Sequence, residues 1–102
     1  MESSQYIEVL TQENEELHLS LKGEFILIHI KSVYEDFQKL SKVSEKKIFI
    51  TLKEMKSIDL TGIQLIIGLK KTLESNNKQV SLELIYPKDV ETLLTISGFS
   101  TL

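Results

Sequence analysis

Apolar and polar residues alternate with a period of two in three segments of the chain. This alternation is typical of strands that bury one face. The apolar positions are Leu17, Leu19 and Leu21 in the first segment, Ile48, Ile50 and Leu52 in the second, and Val80, Leu82, Leu84 and Tyr86 in the third. A weaker strand is predicted from Tyr6 to Leu10, and the acidic run Glu13 to Glu16 is predicted to form the turn between the first two strands.

Two longer segments repeat apolar residues at the spacing of an amphipathic helix. Steps of four and three form one stripe in the first segment, at Ile26, Ile30, Val33, Phe37 and Leu40. The start of this helix is open, because residues 25–30 could also form extended chain. The second helix is predicted from Thr61 to Ser75 and ends at Asn76 and Asn77, and its core stripe is Gly62, Ile66, Leu69 and Leu73.

A last short helix is predicted from Lys88 to Ser97. Pro87 before it favours a helix start, and Gly98 after it favours a helix end. The full order of elements is therefore strand, strand, helix, strand, helix, strand, helix.

This order predicts the arrangement of the layers. Strands separated by a helix are expected to lie parallel and to be joined by right-handed crossovers. Strands covered on both faces would read as continuous apolar runs, whereas these strands alternate. We therefore predict an α/β fold of two layers, with a mixed sheet of four to five strands and with helices mostly on one face. The other face is expected to be solvated and to carry His18, Ser20, Lys22, Ser81 and Glu83.

Length and composition narrow the class of protein. The chain has 102 residues, 41% of them hydrophobic and 26% charged, and no linker divides it, so residues 1–102 are expected to form one domain. Its 12 basic residues are outnumbered by 15 acidic ones, which weighs against nucleic acid as a partner. The chain has no Cys, a polar N-terminus and no apolar stretch of membrane-spanning length, so we expect a cytoplasmic protein without membrane insertion.

The sequence contains no motif for catalysis, metal binding or nucleotide binding. Its two histidines, His18 and His29, lack the spacing that a metal site requires. Neither of the common glycine-rich phosphate-binding sequences occurs. No acid–base pair or nucleophile can be nominated for a substrate pocket. We therefore expect no enzymatic activity, no metal and no cofactor.

The turn before the second long helix, Lys56 to Leu65, carries the most information. Asp59 or Thr61 can cap the helix by accepting a hydrogen bond from its free N–H groups. An Asp at this place also complements the positive end of the helix dipole. Gly62 allows the first turn to approach the sheet closely. Local chemistry alone explains these residues as a well-made helix start.

Three segments, in order along the chain, resemble the STAS family, which is named for sulfate transporters and anti-sigma-factor antagonists. The strand Ile-Phe-Ile-Thr-Leu at 48–52, followed by Ile-Asp-Leu-Thr-Gly-Ile at 58–63, looks like the family signature. Leu-Lys-Gly-Glu at 21–24 resembles the end of the family's second strand, and Leu93 to Phe99 resembles its closing helix. The resemblance covers nearly the whole chain, and it implies the family's fold and a non-enzymatic role in protein binding.

Resemblance to the bacterial antagonists implies a regulatory module that captures an anti-sigma factor or a related signalling kinase. In antagonists that are switched by phosphorylation, the residue after the motif's Asp is normally a Ser. That position is Leu60 here, and leucine has no hydroxyl. Thr61 is the only hydroxyl inside the motif, and we expect it to cap the helix, with phosphorylation as the alternative. The resemblance therefore implies an atypically regulated variant.

The partner is expected to bind at this turn and along one side of its helix, at Asp59, Leu60, Thr61, Gly62, Ile63 and Ile67. Relative to the core stripe, Ile67 lies on the flank of the helix and Ile63 lies between. Together with Leu60, these residues could form a contiguous apolar edge, and clustered apolar surface marks interaction sites. The alternative is that the first helix or the C-terminus covers this edge.

Two other contexts stay open. The continuation Gly-Ile-Gln-Leu-Ile-Ile at 62–67 is also similar to STAS proteins of chemotaxis signalling and of phospholipid-transport complexes. In a transport complex the domain would be a scaffold subunit with a constitutive partner, whereas a regulatory module would exchange partners. Weak nucleotide or lipid binding is compatible with the resemblance but is assigned to no residue.

Overall fold

The structure, a computed structural model, describes residues 1–83. The described residues form strands β1 (Ile7–Glu13), β2 (Glu16–Phe25), β3 (Lys47–Ile58) and β4 (Gln79–Glu83), and helices α1 (Ile30–Gln38) and α2 (Leu60–Ser75). Short 3₁₀ turns, Leu27–His29 and Lys39–Lys42, flank α1. Within the described part, neither helix has the length and apolar character to cross a membrane. The end of the last predicted strand, the predicted helix Lys88 to Ser97 and the segment Leu93 to Phe99 lie outside the described residues.

The sheet has the order β1-β2-β3-β4, with an antiparallel β1–β2 hairpin and parallel β2–β3 and β3–β4 pairs. Asn14 and Glu15 connect the hairpin with positive φ angles of 54° and 62°, the backbone shape that suits a two-residue hairpin turn. The carbonyl of Glu15 accepts hydrogen bonds from the N–H groups of Lys46 and Lys47, both at 3.1 Å. The predicted turn is therefore confirmed, and it also holds the start of β3 beside β2.

One face of the sheet and both described helices enclose a single core. Each alternating residue predicted to face inward in β2 and β3 is buried, as are the four residues of the α2 stripe. Burying one Leu or Ile side chain contributes roughly 1.5–3 kcal/mol, so these residues supply most of the driving force for packing the layers together. The predicted two-layer α/β arrangement, with a mixed sheet and helices on one face, is confirmed.

The opposite face of the sheet differs from the prediction at one residue. His18 is partly exposed and its ring stacks on that of Phe49 in the neighbouring strand, with centroids 4.4 Å apart. Ser20, expected to be solvated, is only 1% exposed, because it lies in the central strand β2 between Glu8 of β1 and Thr51 of β3. Alternation assigned its face correctly but did not account for the side chains on the two neighbouring strands.

Helix α1 begins at Ile30, four residues after the start of the apolar stripe at Ile26. Phe25 is the last residue of β2 and is fully buried, and the helix begins only at Ile30. Ile26 is extended, with φ −122° and ψ 161°, because β2 still runs alongside β3 up to the Phe25–Ile58 pair. The rest of the stripe, at Val33, Phe37 and Leu40, is buried as predicted.

A buried carboxylate on α1 holds the start of the first strand. Asp36 is 8% exposed, and its Oδ2 accepts a hydrogen bond of 3.0 Å from the N–H of Tyr6. Its Oδ1 lies 3.3 Å from Nζ of Lys39. The ring of Tyr6 packs edge-on against Phe25, with centroids 5.8 Å apart. Asp36 therefore links α1 to the edge of the sheet.

We predict that Asp36→Ala lowers the free energy of unfolding by about 1–3 kcal/mol, because it leaves the buried N–H of Tyr6 without an acceptor. The neighbouring exposed residue provides the control, and Glu35→Ala should change stability by less than about 0.5 kcal/mol. Urea denaturation of the two variants and the wild type measures both values. Equal losses in the two variants would contradict the role given to Asp36.

Candidate functional site

The parallel strands β2 and β3 end side by side, at the pair Phe25–Ile58. Two segments leave the sheet at this edge: residues 26–29, which we call the β2–α1 loop, and Asp59 with the first turn of α2. In open α/β sheets, the carboxyl ends of parallel strands are where ligands bind, since the loops there converge. The motif singled out from the sequence therefore lies at the edge where a site is expected.

Asp59 joins the two segments. Its backbone is extended, with φ −114° and ψ −177°, as in a helix N-cap, and its Oδ1 accepts a hydrogen bond of 3.0 Å from the N–H of Gly62. Its Oδ2 accepts a second hydrogen bond, of 2.8 Å, from the N–H of Leu27 in the β2–α1 loop. Its own N–H donates to the carbonyl of Phe25 at 3.2 Å. One residue thus caps α2 and also binds the neighbouring loop.

The capping role expected for Thr61 is wrong. The sequence left Asp59 and Thr61 as alternatives, and the structure assigns the cap to Asp59. Thr61 is already the second residue of the helix, so it has passed the extended backbone position from which a side chain reaches the free N–H groups. Its side chain is half-buried beside the turn.

Gly62 brings the first turn of α2 against the sheet. A Cβ at this position would lie 2.1 Å from the carbonyl oxygen of Phe25 and 2.9 Å from Cγ1 of Ile58. The first of these contacts is with backbone, which cannot move aside as a flexible side chain can. The close approach predicted for Gly62 is present, and it leaves no room for any other residue.

Three large apolar side chains are exposed at this edge, and we call them the apolar tip: Leu27, Ile28 and Leu60. They are 63%, 85% and 55% exposed, respectively. Leu27 and Ile28 lie on the β2–α1 loop, and Leu60 is the first residue of α2. Single exposed apolar residues are common, but a cluster contributed by two adjacent segments is typical of a surface that binds another molecule.

The contiguous apolar edge that Leu60, Ile63 and Ile67 could form along α2 is not present. Ile63 is 1% exposed and belongs to the core, because the first turn of α2 lies so close to the sheet that its inner face includes this residue. Ile67 is half-buried and packs against the core. Of the three residues predicted for this edge, only Leu60 is exposed.

Leu27 and Ile28 were missed by the sequence analysis, although a signal was present. They belong to the apolar run of residues 25–30, and they fall off the stripe that begins at Ile26. One face of a helix cannot bury all five apolar residues of this six-residue run, since successive side chains point around the axis. Part of the run therefore had to be exposed or to belong to another element.

The surroundings of the tip are polar. Nε2 of His29 lies 3.6 Å from Oε1 of Glu24, and the hydroxyl of Ser57 lies 3.5 Å from Oε2 of the same residue. His18 lies elsewhere, 3.2 Å from Glu16 on β2. Among residues 1–83, no three His, Cys, Asp or Glu side chains are grouped so that they could hold a metal ion. The arrangement is an apolar surface with a polar rim, as in protein–protein interfaces.

Comparison with known families agrees with this geometry. The STAS domain family matches residues 6–102 of the chain. The chain belongs to the STAS domain family. The resemblance stated from the sequence is therefore confirmed. No curated protein is significantly similar to this chain in sequence.

Solved structures share the fold at low sequence identity. The anti-sigma factor antagonist SpoIIAA in its unphosphorylated form is 16% identical, with a TM-score of 0.68, over 93% of this chain and 83% of SpoIIAA. An anti-sigma factor antagonist from Mycobacterium paratuberculosis is 13% identical, with a TM-score of 0.66, over 97% of this chain and 85% of the antagonist. Mglu is 20% identical, with a TM-score of 0.62, over 76% of this chain. This chain spans only 19% of the length of Mglu.

Two glycines of α2 provide a matched test of the close approach. We predict that Gly62→Ala lowers the free energy of unfolding by about 2–3 kcal/mol or more, because the helix must move away from the carbonyl of Phe25. No atom lies within 4 Å of a Cβ at Gly68, so Gly68→Ala should raise stability by about 0.5–1 kcal/mol through helix propensity. Denaturant unfolding of both variants measures the difference. A Gly62→Ala variant as stable as Gly68→Ala would contradict the packing described here.

Proposed function

We propose that this STAS domain is a non-enzymatic, cytoplasmic regulatory module that binds an anti-sigma factor or a related signalling kinase. Membership of the family and the shared fold of anti-sigma factor antagonists support a role in protein binding. The observation that carries the proposal is the apolar tip beside the Asp59–Gly62 turn, because it places exposed Leu and Ile side chains where the loops of the sheet converge. No substrate pocket is needed for this function.

The residues of the site have separate roles in this proposal. Leu60, Leu27 and Ile28 are the apolar anchors, since burying one such side chain in a partner contributes roughly 1.5–3 kcal/mol. A few well-buried anchors dominate the affinity of most protein interfaces. Asp59 and Gly62 hold the turn, Thr61 contacts the partner beside it, and the half-buried Ile67 supports the helix from the side of the core.

A binding role also fits the hydrogen bonds of Asp59, the only carboxylate in the turn. Both oxygens of Asp59 accept hydrogen bonds from backbone N–H groups, at 2.8 and 3.0 Å. Asp59 is therefore placed to hold backbone in position, which is what a rigid docking surface requires.

Regulation is expected to depart from the phosphorylated antagonists. Leu60 stands where those proteins carry the acceptor Ser, and it adds apolar surface in place of a hydroxyl. Thr61 remains the one acceptor candidate inside the motif at 58–63, and it is half-buried. We propose that the domain binds its partner without the usual phosphorylation switch.

The first prediction from this proposal concerns the anchors. Affinity capture from the cells that express the protein should retain an anti-sigma factor or a signalling kinase on the wild type. Leu60→Glu and Ile28→Glu should each weaken that binding by about tenfold or more, because each places a charge in an apolar contact. Leu10→Glu is the control, since Leu10 is 54% exposed, close to the 55% of Leu60, but lies in β1 near His18 and Phe49.

The outcomes separate the candidate functions. Loss of the partner from the Leu60 and Ile28 variants, with retention by the Leu10 variant, supports a regulatory module with its surface at the tip. Retention of transporter subunits by all variants would favour the scaffold function instead. Equal loss in all three variants would assign no special role to the tip.

The second prediction concerns regulation. Intact-mass analysis of the protein isolated from its own cells should show no added phosphate under any growth condition, because position 60 has no hydroxyl. Fragmentation would locate any phosphate that is present. A phosphate on Thr61 would restore a phosphorylation switch and would overturn this part of the proposal.

A further inference from the structure

The position of the β2–α1 loop depends on few contacts. The side chains of Leu27 and Ile28 are 63% and 85% exposed, so packing contributes little to holding them. The N–H of Leu27 donates a hydrogen bond to Asp59, and two backbone bonds shape the loop itself, from the N–H of His29 to the carbonyl of Ile26 at 2.9 Å and from the N–H of Ile30 to the carbonyl of Leu27. Nε2 of His29 also lies 3.6 Å from Oε1 of Glu24 on β2. Only the bond from Leu27 to Asp59 connects the loop to the start of α2. It joins residues that are 32 positions apart in the chain.

We propose that Asp59 is the positioning residue of the apolar tip, through its hydrogen bond to the N–H of Leu27. This inference rests on the proposed function, in which the tip is the surface that a partner contacts. Asp59 holds Leu27 and Ile28 beside Leu60, so that the anchors from two segments form one surface before a partner arrives. Holding a loop in its bound arrangement raises affinity, because less conformational freedom is lost on binding.

The two oxygens of the carboxylate allow the two roles of Asp59, capping α2 and holding the β2–α1 loop, to be tested separately. An aspartate has two acceptor oxygens, and each one serves a different segment: Oδ1 serves Gly62 and Oδ2 serves Leu27. An asparagine caps a helix as well as an aspartate but has only one acceptor, and its NH₂ group is a donor. Asp59→Asn therefore has one acceptor oxygen for the two N–H groups and places a donor against the other; when the oxygen caps Gly62, the NH₂ group faces the N–H of Leu27. Asp59→Ser keeps a capping oxygen and has no second acceptor.

The test measures amide hydrogen exchange by NMR on the full chain and needs no partner. In Asp59→Asn and in Asp59→Ser, exchange of the Leu27 amide should accelerate by about tenfold or more, as expected for the loss of a hydrogen bond to a charged group. The amides of Gly62 and of the core residue Leu19 should keep their wild-type rates. Asp59→Ala should accelerate both Leu27 and Gly62, since it removes both acceptors.

The pattern of amide exchange distinguishes a positioning role from a merely structural one, because a structural role would change the exchange rates of the whole turn. Selective acceleration at Leu27 supports the positioning role. A Leu27 amide unchanged in both Asp59→Asn and Asp59→Ser would overturn it, as would equal acceleration of Leu27, Gly62 and Leu19, which would indicate general loosening of the fold.

A second measurement separates this inference from the proposed function. With the purified protein that the wild-type domain retains, affinities are measured for Ile28→Ala, for Asp59→Asn and for the double variant. If Asp59 acts through the loop, the two losses should be non-additive, and the double variant should bind little worse than the weaker of the single variants. Full additivity, or a loss with Ile28→Ala and none with Asp59→Asn, would overturn the positioning role. Unchanged affinity with Ile28→Ala would overturn the tip as the partner surface, while selective exchange at Leu27 would still support the bond from Asp59 to the loop.

Discussion

The carbonyl of Phe25, at the end of β2, constrains everything at this edge of the sheet. Its oxygen accepts a hydrogen bond from the N–H of Asp59. A Cβ at Gly62 would lie only 2.1 Å from the same oxygen. Because β2 and β3 are parallel neighbours, the chain that follows β3 must turn into α2 directly beside this carbonyl. Only a residue without a side chain can make that turn, and the approach it permits brings the carboxylate of Asp59 within reach of Leu27.

The same constraint explains how a stable domain can present apolar side chains to solvent. The core is complete without the tip, since the inward residues of β2, β3 and α2 bury one another. Leu27, Ile28 and Leu60 therefore contribute little to folding and are available for binding. Their order comes from hydrogen bonds of the backbone, which hold the loop without covering its side chains. A surface of this kind can lose its ability to bind a partner while the fold below it stays intact.

Much of this structure could be predicted from the sequence, because period-two and helical patterns state directly which face of an element is buried. The strands, the core stripe of α2 and its capped start followed from such patterns. Contacts between elements did not. The burial of Ser20 depends on the two strands beside it, and the burial of Ile63 depends on how closely Gly62 approaches the sheet. The run of residues 25–30 indicates that some of its apolar side chains are exposed, but no local pattern places them beside Leu60, which is far away in the chain.

Leucine at position 60 has a physical consequence for regulation in the proposed function. A phosphate added at this turn would lie beside the carboxylate of Asp59, and repulsion between the two would oppose the attraction of the helix N-terminus for anions. Leu60 removes that competition and continues the apolar surface of the neighbouring loop. Binding is then governed by apolar area and by the order of the loop rather than by charge. In the proposed function, loss of the hydrogen bond between Asp59 and Leu27 would weaken binding, because that bond joins the two halves of the surface.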